Sequence, residues 1–343
     1  MSLVPSGEIN RRISRLQHYL VNQEIEAALI VHRPNLYYLS GTAQRAFLYI
    51  PCSGEALLMV KKYYPRALEE SPLVQVVEIK SLKEIPQKIR SVTPHEPGRL
   101  GLELDMIPVR EVSLYSSMFP GAEILDASYL IQRIRCLKST WEISKLKQIA
   151  EKSALSFKYA KDLLSNGIEG PRLLTKVEQF MRRHGHQAMI RTNSFLLKKR
   201  PRAVSAYPLY CMGSHAILLQ LIWAYQGYHL VEGRILYRGR ANAQQSDEFQ
   251  ALFQALGKIK ELVRPGATWA EISTWLKKEE VEYRISSYGV GLEIMEPPAM
   301  GRDEALVFEP GMVLAVGIRP QCLKGESHLM ETGLLVENGF SPF

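Results

Sequence analysis

The stretch SSYGVGLEIMEPPAM, residues 286–300, has residue types that could form a reactive or binding strand. Its glycines permit close backbone approach, and its two acids, Glu293 and Glu296, could take part in acid–base chemistry. The competing interpretation is that both acids make structural hydrogen bonds at strand ends, as buried polar side chains usually do. Tyr288 and Met295 take places where histidines would suit such chemistry, so the stretch is either an active-site strand or the remains of one.

Other common reactive motifs are absent from the sequence. The chain has no G-x-S-x-G elbow, no phosphate-binding loop and no H-E-x-x-H zinc motif. The four cysteines lack any C-x-x-C pair, which argues against a disulfide framework and a cysteine-rich zinc site: Cys52, Cys136, Cys211 and Cys322. His215 is a candidate acid–base residue, with a structural or solvent-facing histidine as the alternative, and His229 is interpreted as structural.

The composition indicates a globular protein with no membrane partner. Of 343 residues, 46% are hydrophobic and 23% are charged, and the longest apolar run, 216–225, is too short to span a bilayer. The N-terminus lacks the pattern of a secretory signal, so we expect a cytoplasmic protein. The net charge is +8, but its densest basic run, KKRPR at 198–202, has no interleaved aromatic residues and does not favour nucleic-acid binding.

The first third of the chain alternates helical and strand patterns, which indicates an α/β domain. Apolar residues at helical spacing predict a helix over 8–23, followed by a buried strand at 27–31. Further strands are expected at 36–41, 47–51, 55–60, 74–79, 99–105 and 122–128, and a serine-capped helix at 81–90.

The rest of the chain contains two predicted pairs of helices, each leading into antiparallel strands. This repetition suggests an internally duplicated α+β domain. The helices are expected at 140–166, 173–185 and 246–263 and after Thr268, and the strands near 204–225, 228–238, 288–295, 312–318 and 330–337. The predicted domains are 1–137 and 138–343.

The order of motifs resembles the creatinase/aminopeptidase P family, also called the M24 metallopeptidases. The similar segments are ALIVHRPNLYYLSG (28–41), AEILDASYLIQRIRCLKSTWEISKLKQIAE (122–151), LVRPGATWAEI (262–272), YGVGLEIMEPP (288–298) and FEPGMVLAV (308–316). The resemblance implies an N-terminal ribonuclease-H-like creatinase domain followed by the α+β pita-bread domain. It also implies a homodimer.

Members of this family hold two divalent metal ions through two aspartates, one histidine and two glutamates. Two dications held close together need several carboxylates to neutralise them, and the pair then activates a bridging water. Matching the family's motifs places the following residues at these five positions in turn: Gln220, Val231, Tyr288, Gly317 and Glu331. Met295 stands at the position of a family histidine that assists substrate binding.

The resemblance therefore implies that four of the five metal ligands are lost, so neither the metals nor another cofactor is expected. Glu232 is adjacent to Val231, but successive side chains of a strand point to opposite faces, so we do not expect it to substitute. A single carboxylate, Glu331, cannot hold two dications.

Three functional hypotheses follow from this pattern. The first is a binding or regulatory homologue of the Xaa-Pro dipeptidases, whose pocket accepts a small organic ligand or peptide and is lined by Gln220, Tyr288, Met295 and Glu331. The second is a metal-independent, creatinase-like C–N hydrolase that uses His215. The third, a working Xaa-Pro dipeptidase, would require a rebuilt metal site that the sequence does not reveal.

Overall fold

A computed structural model describes residues 3–93, 95–168, 170–187, 209–212, 216–237, 243–278, 283–320 and 328–343. The chain divides into two compact units, Met1–Arg135 and Cys136–Phe343. No helix in this described part of the chain is both long enough and apolar enough to cross a bilayer.

The first unit contains a mixed six-stranded sheet with the strand order β4-β3-β2-β1-β5-β6. Its strands are β1 Ala27–Ile30, β2 Ala46–Pro51, β3 Leu57–Val60, β4 Gln75–Glu78, β5 Arg99–Leu102 and β6 Glu123–Asp126. Its α-helices are α1 Ser6–Asn22, α2 Arg33–Ser40, α3 Tyr64–Glu70, α4 Ile85–Arg90, α5 Val109–Met118 and α6 Ser128–Cys136, the last of which ends at the first residue of the second unit. Apolar side chains such as Leu29, Leu57 and Leu100 form the core of this unit.

The prediction of a strand at 36–41 is wrong, because these residues belong to helix α2 and its end. Pro34 lies in the first turn of the helix, where its missing N–H costs no hydrogen bond. Gly41 ends the helix at φ +80°, a left-handed conformation that favours glycine. The apolar run of Leu36 to Leu39 satisfies either a strand or a buried helix, so its periodicity could not decide between them.

The second unit contains an antiparallel sheet with the order β10-β11-β12-β9-β8-β7, and a further strand, β13, pairs with β12. Its strands are β7 Leu209–Met212, β8 Ala216–Tyr225, β9 Tyr228–Tyr237, β10 Tyr283–Gly289, β11 Val313–Pro320, β12 Leu329–Val336 and β13 Gly339–Pro342. Its helices are α7 Thr140–Ser165, α8 Gly170–Arg183, α9 Ala243–Leu262 and α10 Trp269–Lys278. The two predicted helical pairs are confirmed.

Helix α7 begins where the sequence predicts. The Ser139 hydroxyl accepts a hydrogen bond from the Glu142 N–H at 3.1 Å, and the Glu142 carboxylate accepts one from the Ser139 N–H at 3.0 Å. This reciprocal capping box satisfies two backbone donors at the start of the helix.

The predicted strand at 288–295 is mostly wrong, because β10 ends at Gly289. The following residues form a loop, and the Glu296 N–H returns to the Gly289 carbonyl at 2.7 Å. We call residues 290–296 the strap. The strap returns to the end of β10 rather than extending it, so glycines in this stretch mark a bend.

The strand register aligns the predicted site positions across the larger sheet. Gln220 on β8 is paired with Gly233 on β9, which is paired with Met330 on β12. Met330 is in turn paired with Gly317 on β11. These pairings bring residues that are far apart in the sequence to one region of the sheet.

Candidate functional site

Three of the predicted site residues meet around the side chain of Met330. The Gln220 amide nitrogen lies 3.6 Å from the Met330 sulfur, and the Tyr288 hydroxyl lies 3.8 Å from the same sulfur. Gly317 lies directly beneath the end of the Met330 side chain. We call these four residues the Met330 cluster.

Met330 occupies the space that a side chain at position 317 would need. A Cβ atom added to Gly317 would lie only 2.4 Å from the Met330 Cε atom and 3.1 Å from its Cβ atom. A larger side chain at position 317 therefore cannot coexist with Met330 in this conformation.

Gly233 permits a second close approach at this place. A Cβ atom on Gly233 would lie 1.9 Å from the His328 carbonyl oxygen, so the two strands approach here at a distance that only glycine allows.

The Met330 cluster is closed to solvent and carries no ionised side chain. Gln220, Tyr288 and Met330 are 6%, 7% and 1% exposed. Burial raises the pKa of Tyr288 to about 12, so its phenol is neutral at physiological pH. The Gln220 carbonyl oxygen accepts a hydrogen bond from the His328 N–H at 3.3 Å. The cluster is thus a packed, neutral core of amide, phenol and thioether groups.

Val231 is fully buried on β9 and offers no polar side-chain atom. Its backbone carbonyl accepts a hydrogen bond from the Thr332 hydroxyl. Alternation along β9 puts the Val231 side chain on the same face of that strand as position 233. The structure therefore places an aliphatic group where the resemblance places the second aspartate.

The prediction that Glu331 shares this site is corrected by the structure. Neighbouring side chains on a strand point to opposite faces, so Glu331 points away from the side on which Met330 meets Gln220 and Tyr288. The Glu331 carboxylate instead accepts a hydrogen bond from Lys260 on α9 at 2.7 Å. Met330 is the residue that sequence reasoning missed. The segment LMETGLLV has no alternation around Glu331 that would have indicated which side chain faces the site.

Glu232 also lies on the helix-facing side of its strand. Its carboxylate accepts a hydrogen bond from the Ser153 hydroxyl on α7 at 2.5 Å, and Arg234 lies at 3.4 Å. Burial raises the pKa of Glu232, while Arg234 and the Ser153 hydroxyl act in the opposite direction. We call Glu232 and Glu331 the helix-side acids, because Glu232 pairs with Ser153 on α7 and Glu331 pairs with Lys260 on α9.

The strap contains the remaining predicted residues. The Met295 side chain is 53% exposed and is not part of the Met330 cluster. Glu296 is buried, and its two carboxylate oxygens accept hydrogen bonds from Lys138 at 3.2 Å and from the Glu293 N–H at 3.0 Å. These contacts support the structural interpretation of Glu296. His215 lies outside the described residues.

Comparison with known families identifies the chain. Residues 12–137 match the creatinase/prolidase N-terminal domain, and residues 144–337 match metallopeptidase family M24. The chain belongs to family M24. It therefore combines a creatinase-type N-terminal domain with a pita-bread domain, as the resemblance implied.

Relatives of the M24 chain match it along nearly its full length. The Xaa-Pro dipeptidase of Pyrococcus horikoshii is 24% identical over 96% of both chains, and that of Pyrococcus furiosus is 25% identical over 96% of this chain and 97% of its own. The crystal structure of the prolidase from Pyrococcus horikoshii OT3 has a TM-score of 0.76 at 20% identity, with 97% of each chain covered. An Xaa-Pro dipeptidase from Bacillus anthracis has a TM-score of 0.77 at 18% identity, again with 97% of each chain covered. At such identities the structural likeness shows a shared fold.

The groups at the five M24 ligand positions do not fit a pair of divalent metal ions. At Gln220, Val231, Tyr288 and Gly317 these positions offer an amide, an isopropyl group, a neutral phenol and a bare glycine, which supply no negative charge. The one carboxylate, at Glu331, pairs with Lys260 at 2.7 Å. Hard dications prefer carboxylate oxygens, and thioethers suit softer metals. Across the described residues, no three His, Cys, Asp or Glu side chains are grouped so that they could hold a metal ion.

Proposed function

We propose that this protein is a non-metallopeptidase member of family M24, a binding or regulatory homologue of the Xaa-Pro dipeptidases that takes a small organic ligand or peptide. The observation that supports it is the Met330 cluster, in which the residues at three of the ligand positions, Gln220, Tyr288 and Gly317, each contact Met330 and none is a carboxylate or an imidazole.

The absence of carboxylates from the cluster matters because hydrolysis in this family depends on the metal pair. The metal pair supplies both the hydroxide nucleophile and the Lewis acid that polarises the scissile carbonyl. Glu331, the one carboxylate at the five positions, does not offset the repulsion between two dications, so both contributions are lost together. The helix-side acids do not compensate, because each already pairs with a hydroxyl or a cation away from the cluster.

Metal analysis combined with a peptidase assay tests the proposal. We expect purified protein, after incubation with Mn²⁺ or Co²⁺ and desalting, to retain no stoichiometric metal and to cleave no Xaa-Pro dipeptide. The Xaa-Pro dipeptidase of Pyrococcus horikoshii, carried through the same steps, is the positive control. Two bound ions per chain, or metal-dependent cleavage, would overturn the proposal.

We further propose that the protein is a cytoplasmic homodimer. This proposal is supported by the family resemblance alone, since the structure describes one chain and shows no contact between subunits. Light scattering coupled to size exclusion is expected to give twice the chain mass of 39.0 kDa, and a monomer across the accessible concentration range would contradict it.

A further inference from the structure

The excess positive charge of the chain belongs to one segment, residues 140–208. This segment contains 14 basic and 5 acidic residues, whereas the other 274 residues contain 29 and 30. Helices α7 and α8 lie in this segment, and residues 188–208 after them lie outside the described part of the chain. The net charge of +8 therefore comes from α7, α8 and the sequence that follows them, not from the molecular surface as a whole.

Six basic side chains of these two helices are exposed or half-buried and have no ionic partner. They are Lys147, Lys158, Lys161, Arg172, Lys176 and Arg183. Within the described residues, none of these six side chains forms an ion pair or a hydrogen bond. Arg182, by contrast, pairs with Glu178 at 2.9 Å. Two exposed acids, Glu151 and Asp162, offset part of the charge, so the two helices keep an excess of cations that favours an anionic partner.

An aromatic stack joins the two helices among these cations. The Phe180 ring on α8 stacks with the Tyr159 ring on α7 at a centroid distance of 4.6 Å. It also stacks with the ring of His184, in the turn after α8, at 4.0 Å. In the described chain Tyr159 and His184 make no ring contact with each other, so they cover opposite faces of Phe180. Leu155, one helical turn before Tyr159, is 50% exposed and extends the apolar surface along α7.

Unpaired cations flank this stack on both helices. Residues three or four apart on a helix are surface neighbours. On α8, Lys176 lies four residues before Phe180, and Arg183 lies three residues after it. On α7, Lys158 lies three residues after Leu155. We call these side chains the basic strip: Leu155, Lys158, Tyr159, Lys176, Phe180, Arg183 and His184.

The basic strip faces away from the sheet that carries the Met330 cluster. The Ser153 hydroxyl on α7 donates to Glu232 on β9, so this side of α7 faces the sheet. Leu155 follows Ser153 by two residues, about 200° around the helix, and therefore lies on the outer side. Val231 points to the opposite face of β9 from Glu232, so the strip is separate from the ligand positions.

The stack argues against single-stranded nucleic acid as the partner. Proteins bind unpaired bases by stacking them on the open faces of aromatic rings. Both faces of the central ring, Phe180, are already covered by Tyr159 and His184.

A lipid surface is also a poor match for the strip. Amphipathic helices bind membranes by burying an apolar face among the lipids. The apolar side chains of α8, such as Leu173, Val177 and Met181, are instead buried within the protein. Leu155 alone offers too little apolar surface for insertion.

An acidic peptide with apolar side chains matches both features of the strip. Carboxylates complement the unpaired cations, and the positively polarised edges of the stacked rings also attract them. An apolar side chain of the peptide would cover Leu155 and remove its exposed surface from water.

We propose that the basic strip binds an acidic peptide segment of a partner protein, in which Asp or Glu side chains pair with Lys158, Lys176 and Arg183 and an apolar side chain covers Leu155. This surface goes beyond the proposed function, because it lies apart from the ligand positions and does not depend on whether they hold metal.

Fluorescence anisotropy with three labelled probes tests the partner class. The probes are the peptide EELEDFEELEDF, dodecaglutamate, which has more charge but no apolar side chain, and a twelve-nucleotide oligothymidylate. We expect the first peptide to bind the full-length protein in the micromolar range, at least about tenfold more tightly than either other probe.

Three results would overturn the proposal. Tighter binding of oligothymidylate would indicate a nucleic-acid surface. Equal binding of all three probes would show unspecific attraction of anions. Failure of the first peptide to saturate the protein by about 1 mM would show that the strip is only a solvated helix surface.

Charge reversal locates the binding on the strip. The double variant Lys158→Glu/Arg183→Glu changes two exposed residues and is expected to weaken binding of the first peptide at least about tenfold. Lys62→Glu/Arg110→Glu, at two exposed residues of the first unit, changes the net charge equally and should bind as the wild type does. Equal losses in both double variants would contradict the proposal, because only the overall charge would then matter.

An apolar substitution separates the strip from a purely ionic surface. Leu155→Gln keeps the charge and a good helix former at an exposed position. It is expected to weaken binding of the first peptide by about threefold or more and to leave dodecaglutamate binding unchanged. An unchanged affinity for the first peptide would remove Leu155 from the contact and contradict the proposed recognition.

Failure of the strip and failure of the proposed function are distinguishable. Metal-dependent Xaa-Pro cleavage would overturn the proposed function, whatever the peptides do. Absence of peptide binding in protein that neither holds metal nor cleaves dipeptides would remove only the basic strip.

Discussion

The helix-side acid Glu331 is adjacent to Met330 of the cluster on β12, and Glu232 is adjacent to Val231 on β9, yet the chemistry of the helix side and of the cluster side is opposite. On the helix side, Glu232 and Glu331 keep their carboxylates and pair with Ser153, Arg234 and Lys260. On the other side, the cluster contains no ionised group. The difference shows that a carboxylate at or beside a family ligand position in the sequence does not join the cluster unless it lies on the correct face of the strand.

The largest effect is expected from returning a carboxylate to the cluster. Gly317→Glu should lower the free energy of unfolding by at least about 4 kcal/mol, because the new side chain overlaps Met330 and buries an unpaired charge. Urea denaturation measures this loss. Gly257→Glu on α9 is the control, since a Cβ there meets nothing within 4 Å. Near-wild-type stability of Gly317→Glu would show that the cluster is open enough to accept a metal ligand.

A double-mutant cycle separates a direct clash between positions 317 and 330 from independent losses of stability. Gly317→Ala should cost about 1–3 kcal/mol by overpacking, and Met330→Ala about 2–5 kcal/mol by leaving a cavity. The double variant should lose less stability than the two single variants added together. Removing the Met330 Cε atom removes its 2.4 Å clash with a Cβ atom at position 317. Met181→Ala, at a buried methionine on α8, should combine additively with Gly317→Ala. Additivity in both cycles would contradict direct packing.

A smaller, pH-dependent effect is expected at Glu232. Because burial raises its pKa, the folded chain keeps this proton at pH values where the unfolded chain has lost it. The resulting stability is fully present below the ordinary glutamate pKa of 4.5 and is lost as the pH rises through the folded value. Glu232→Gln should therefore flatten the decline of unfolding free energy from acidic to alkaline pH, at a cost of about 1–2 kcal/mol from altered hydrogen bonds.

Denaturation at pH 5 and pH 8 checks this expectation. Glu151→Gln, at an exposed acid on α7, should keep the wild-type pH profile. An unchanged profile in Glu232→Gln would show that Ser153 and Arg234 outweigh burial at this carboxylate.

The smallest effect is expected at Glu331. Its side chain is 40% exposed and that of Lys260 is 25% exposed, so Glu331→Gln should cost less than about 1 kcal/mol. Lys260→Met should cost a similar amount, because it removes the same ion pair. Thermal unfolding with and without Mn²⁺ should show the same metal response for Glu331→Gln as for wild type. A metal-induced stabilisation that disappears in Glu331→Gln would return Glu331 to the site.

Local sequence signals were sufficient for much of the fold. The capping residues Ser139 and Glu142 marked the start of α7. Pro34 and Gly41 mark the two ends of α2, a helix that the pattern of its apolar residues alone did not predict. The motif order identified the family because it depends on spacing over the whole chain. The end of β10 at Gly289 escaped prediction, since it depends on a backbone hydrogen bond from Glu296.

The site was harder to predict than the fold. Gln220, Tyr288 and Gly317 could be placed because long motifs fix their positions. Met330 could not, because a shift of one residue in an apolar strand exchanges the two faces without changing the pattern.

The clash that any side chain at position 317 would make with Met330 also limits which substitutions this chain can accept. A single substitution that restores a ligand at position 317 must first pass through a poorly folded protein, while a substitution at Met330 alone leaves a hole beside a glycine. The packing of Met330 against Gly317 thus restricts the single substitutions that these two strands can accept.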